Sequence, residues 1–182
     1  MTHPSLMPSF FAPPMPFHPE ELHKHVKELE RIYLTLPETD GNGRIALAKS
    51  VISATASFVE GCLDALCEQV LGELGMPSDL SNPLLNRLWG LNVKIDYVKH
   101  SLAPKRNGWL VINNNIAMFV ENRLPNKQQG LLTLRNLIDH GDVVNIPALR
   151  MDNITFFRIT ACKYLERVYQ SLGVGRPGWL NP

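Results

Sequence analysis

The chain has 182 residues, 45% of them hydrophobic and 19% charged, with 18 basic residues against 17 acidic and a formal charge of +1. That is the length of one domain able to bury its own core without metals or disulfides, and the composition excludes wholesale disorder and a coiled coil. A charge so close to zero excludes the protein-wide positive field of dedicated nucleic-acid binders, so any site for RNA must be local.

The purely apolar runs fall far short of the roughly 20 residues that span a bilayer, so no transmembrane helix is expected. The opening residues lack the basic start and apolar stretch of a secretory signal, and proline interrupts them from Pro4 to Pro19. Cys62, Cys67 and Cys162 cannot all pair within one chain, and Cys62 and Cys67 fall in a helical pattern where burial is the usual fate. A reducing cytoplasm is the expected compartment.

Residues 1–18 combine proline with Phe10, Phe11, Met15 and Phe17. They read as an extended arm, too apolar for a solvated tail, that packs on the rest of the chain or on a second subunit. From residue 19 the pattern turns helical. Pro19 opens it, Glu20 and Glu21 complement the helix dipole, and Leu22, Val26, Leu29, Ile32 and Tyr33 recur at helical spacing to about Leu36. Pro37 and residues 39–43 then form a turn.

Residues 44–74 carry the strongest signal. Ile45, Ala48, Ile52, Thr55, Val59, Cys62, Leu63, Leu66 and Val70 predict a long central helix, with small residues such as Ala56 and Gly61 allowing close approach of its neighbours. Gly75 and Pro77 stop it. Leu84, Leu85, Leu88, Leu91, Ile95 and Val98 predict a third helix, capped by Asn82, with Pro83 first and an end near His100. Residues 104–108 read as a basic turn. Over residues 108–123, Trp109, Ile112, Ile116, Phe119 and Val120 favour helix, while residues 108–112 fit an extended segment equally well.

Leu131, Leu134, Leu137 and Ile138 predict a short helix that Gly141 closes. A final helix is expected from about Pro147 to Leu172, followed by a tail over residues 173–182 with Trp179. The sum is an all-α antiparallel bundle of five or six helices over residues 19–172.

Arg135 and His140, with Asn136 directly after the arginine, sit at the end of the short helix. Histidine titrates near neutrality and can move protons, and the arginine fork suits the charge developing on a phosphate. On an ideal helix the two would lie about 140° apart with a rise of about 7.5 Å, so they do not share a face. A structural salt bridge for Arg135 and a C-terminal capping role for His140 are the alternative.

Glu60 lies in the apolar part of the central helix, where a carboxylate needs a partner. Arg135 is the natural one, as catalytic support or as a purely structural bridge; exposure on the flank beside Asp64 is the other option. Lys105 and Arg106 could touch RNA phosphate, or form a solvated loop. His18, His23 and His25 begin the first helix with Glu20, Glu21 and Glu28, but His23 and His25 diverge on a helix, so no metal site is expected. No cofactor motif is present.

The stretch Arg135-Asn136-Leu137-Ile138-Asp139-His140, late in an all-helical chain after a long central helix, resembles the signature of the HEPN superfamily. These are helical bundles carrying Arg, four to six intervening residues and His, often with a polar residue after the Arg. The resemblance covers most of the chain as architecture and six residues as motif. It implies a metal-independent endoribonuclease acting as a homodimer, with Arg135, Asn136 and His140 in the site. It also implies a toxin or defence role, with a protein antitoxin as possible partner. The rival expectation is a catalytically silent HEPN-like bundle serving as an interaction or regulatory module.

Overall fold

The structure, a computed structural model, describes residues 18–88, 90–106, 114–122, 124, 129–141 and 154–182. The expected arm at residues 1–17, the segment from residue 107 to 113 with Trp109 and Ile112, and the start of the final helix near Pro147 lie outside the described residues. Among the described residues every regular element is helical, as the sequence pattern requires.

Helix α1 (Pro19–Thr35) begins with proline at its first position and Glu20 and Glu21 in its first turn, and it folds back on α2 through the turn after Leu36. Helix α2 (Gly41–Glu73) is the axis of the fold. Asp40 caps it by accepting the Gly43 N–H at 2.9 Å, so it starts slightly earlier than the apolar pattern indicates. Val51, Ile52, Thr55, Ala56, Phe58, Val59, Cys62, Leu63 and Leu66 are all buried. Small residues on several faces let α1, α7 and α8 pack around it. By length and composition α2 could cross a bilayer although no uninterrupted apolar run in it is long enough, but most of that stretch is buried among its own neighbours.

The third expected helix is two. Helix α3 (Ser78–Leu85) starts after Pro77 and carries Pro83 inside it, and α4 (Leu91–Tyr97) begins after Gly90, whose φ of 84° breaks the chain's helical path. The second part then continues beyond His100. A π-helical turn (Val98–Leu102), closed by the Ala103 N–H on the Val98 carbonyl, leads into α5 (Ala103–Lys105). Pro104 is accommodated near the start of α5, where its missing N–H costs little.

Helix α6 (Asn114–Val120) gives helix over part of residues 108–123, and Glu121 and Asn122 form a turn after it. Helix α7 (Leu131–Asp139) ends as expected before Gly141, at φ 75°. Helix α8 (Phe156–Ser171) starts later than residue 147, after a turn at Ile154 and Thr155. Residues 173–182 return to the core at two points: Val174 and Leu180 are buried, and the partly buried Trp179 packs on Phe58 and His23.

Candidate functional site

The carboxyl-terminal end of α7 is positioned from both sides. Leu131, Leu132 and Leu134 are buried and set the helix on α2. At its start, Asn122 accepts the Thr133 N–H at 3.3 Å, satisfying one of the donors a helix start leaves open. Gly130 is needed there, since a Cβ would run into the Asn122 side chain and the Phe119 carbonyl. At its end the His140 N–H reaches the Asn136 carbonyl at 3.0 Å, and left-handed Gly141 closes the helix.

This places Arg135 against α2 while Asn136 and His140 are exposed, one turn apart along the outer side. Arg135 Nη1 donates to Glu60 Oε2 at 2.8 Å, and its Nε donates to Asp139 Oδ2 at 3.3 Å. Asp139 accepts a further, long hydrogen bond from Ser53 Oγ at 3.4 Å. The other oxygen of Glu60 takes Lys94 Nζ at 3.0 Å, and the same ammonium donates to Asp64 Oδ2 at 2.7 Å. Glu60 therefore bridges α7 and α4 through α2, using both oxygens.

Electrostatics follow from this arrangement. Burial pushes the Glu60 carboxyl up, but the hydrogen bonds from Arg135 and Lys94 outweigh it and hold the group below its ordinary range. For Asp64, burial wins over Lys94 and the carboxyl lies above its ordinary range. The Arg135–Glu60 bridge is mostly shielded from solvent, whereas Asp139 is half exposed. An exposed i,i+4 pair of that kind contributes about 0.3–0.5 kcal/mol. Asp139 is thus the weakly held member of the cluster.

Arg135 and His140 share no hydrogen bond among the described residues, consistent with their divergence around the helix. Arg106 lies elsewhere. It is bonded to Glu73 near the end of α2, about 20 Å along that helix from Glu60, so it is not beside Arg135; Lys105 next to it is exposed. His23 is buried, stacked on Phe58 at 5.0 Å, while His18 and His25 are exposed, so the three do not converge.

Lys94 is the member of the cluster that the sequence reading missed. It occupies an apolar stripe between Leu91 and Val98, and a lysine in such a stripe signals a buried partner, here two. A second buried network was also not anticipated. Lys99 in the π turn meets Glu121 at 2.5 Å, and Tyr164 donates to the same carboxylate at 3.2 Å, tying the π turn and α8 to the end of α6. No family model, no curated protein and no solved structure matches the chain.

Proposed function

We propose that the protein is a metal-independent endoribonuclease of HEPN type, cytoplasmic and active as a homodimer, with a toxin or defence role in which a protein antitoxin would be its partner. The observation that carries this reading is the division of labour at the end of α7: Glu60 anchors Arg135 by one nitrogen, while Asn136 and His140 are exposed on the outer side among the described residues. Two copies meeting there would bring two histidines and two arginines to one phosphodiester.

The chemistry is then general acid–base catalysis. One His140 takes the proton of a ribose 2′-hydroxyl, whose oxygen attacks the adjacent phosphorus. The bond to the 5′-oxygen breaks, and that oxygen takes a proton from the partner's His140. Arg135 stabilises the charge on the non-bridging oxygens, and Asn136 orients the reacting groups. The products are a 2′,3′-cyclic phosphate and a free 5′-hydroxyl.

A silent interaction module is the second reading, favoured by one specific observation. Glu60, Asp64 and Asp139 outnumber Arg135 and Lys94, so the cluster presents no excess positive charge to RNA. Incubating the protein with mixed cellular RNA in EDTA, beside His140→Ala, separates the two. Cleavage that persists in EDTA, yields cyclic phosphate ends and disappears in the variant supports the ribonuclease; intact RNA with both proteins supports the module.

A further inference from the structure

The Arg135 guanidinium is bound unevenly. Its Nη1 is committed to Glu60 by a strong, largely shielded hydrogen bond. The opposite edge of the fork, formed by Nε and Nη2, is the one that grips two oxygens of a phosphate side by side. On that edge Nε carries only the long 3.3 Å bond to Asp139, and Nη2 makes no hydrogen bond among the described residues. Asp139 is half exposed and is one residue before His140.

We propose that Asp139 is a built-in competitor of the substrate, a carboxylate resting on half of the phosphate-binding edge of Arg135 that a phosphodiester must displace. The inference rests on the ribonuclease reading and adds the regulation of its site. Glu60 does not compete, because it binds Nη1 and leaves the Nε–Nη2 edge to other partners. Ser53, which donates to the other oxygen of Asp139 at 3.4 Å, steadies the carboxylate in its blocking position. A dianionic or clustered phosphate exchanges with Asp139 more readily than a single diester, since it brings more charge to the same edge. The device lowers the affinity of any phosphate that uses this edge by a modest common factor.

The test uses a single-stranded oligonucleotide with 2′-deoxy sugars, which binds without being cut, and reads its affinity by fluorescence anisotropy. Asp139→Asn should bind about twofold more tightly than the native protein, the size expected when one weak, half-exposed ion pair no longer has to be broken. Asp139→Ala should do the same, and Ser53→Ala should show a smaller gain. With cleavable RNA the gain should appear in KM. In an Arg135→Gln background, Asp139→Asn should add nothing.

If the native protein binds through Arg135 but Asp139→Asn binds no more tightly, the competitor role is overturned and the ribonuclease reading stands. A gain that survives in the Arg135→Gln background also overturns it, because the effect would then be general charge. No binding by any variant overturns both.

Discussion

Glu30 accepts a hydrogen bond from Arg158 Nε at 2.7 Å, and this buried pair joins α1 to α8 across 128 positions of sequence. Burial lifts the Glu30 carboxyl above its ordinary range despite the pull of Arg158 and Lys27. Among the described residues Glu30 Oε1 and Arg158 Nη1 have no hydrogen-bond partner, so the pair is incompletely compensated. Glu30→Ala should cost about 3–5 kcal/mol, because it strands the guanidinium in the core, whereas Glu30→Leu combined with Arg158→Met should be close to neutral. Urea unfolding of the single and double variants checks this; additive costs would mean the two groups act independently.

His23 gives the fold an acid sensitivity of opposite sign. Its desolvation, with smaller contributions from Lys27 and Arg158, lowers its pKa to about 4 from 6.5. The folded state therefore holds fewer protons than the unfolded chain between those values, and stability falls as pH drops through that window, by about 3 kcal/mol in all. Glu30, with its raised pKa, contributes stability that is present below its unfolded pKa and lost as pH rises through its folded value. His23→Phe should keep the stack on Phe58, lose about 1 kcal/mol at neutral pH with the hydrogen bond to the Trp179 backbone, and flatten the decline between pH 6.5 and 4. Equilibrium unfolding followed by circular dichroism across that range is the measurement.

The two ends of the candidate site should separate in mutagenesis. His140 is exposed and its side chain makes no hydrogen bond among the described residues, so His140→Ala should change stability by no more than about 0.5 kcal/mol while abolishing any RNA cleavage. Lys94→Met should instead destabilise by about 3 kcal/mol, since it leaves Glu60 and Asp64 facing each other without their shared cation. A His140→Ala variant that melts far below the native protein would assign His140 to the scaffold.

Leu180 is fully buried, and the turn that carries it is fastened by Arg176 on Glu166 and by Asn181 on the Gly178 carbonyl. Leu180→Ala should cost about 2–4 kcal/mol by opening a cavity against the core, a loss readable as a lower urea midpoint with unchanged slope. A surface tail would show no such cost.

Which of these features the sequence discloses depends on whether the decisive physics is local. Pro19 at the start of α1, Gly141 after α7 and the apolar repeat of α2 are local signals, and each appears where expected. The division between α3 and α4 is hidden because Leu84, Leu85, Leu88 and Leu91 keep a helical period straight through Gly90; only that glycine's backbone angle reveals the break. Arg135 and Glu60 are pairable on paper because each is a charge in an apolar setting. Lys94 carries the same signal, a charge in an apolar stripe, but nothing local singles out the acidic residues 30 and 34 positions before it as its partners. The burial of Leu180 and the packing of Trp179 are likewise tertiary, with no period in so short a segment to announce them.

The π turn at Val98–Leu102 makes this stretch tolerant of a change in chain length. Deleting one residue inside an ordinary α-helix rotates everything downstream by about 100°, which would swing Leu102 and Ala103 out of the core. Here the wide turn already absorbs one surplus residue, so removing Ser101 would let the segment wind as a plain α-helix with Ala103 still facing inward. The same slack lets Lys99 bend toward Glu121, and a shortened turn would surrender that ion pair before it surrendered the core.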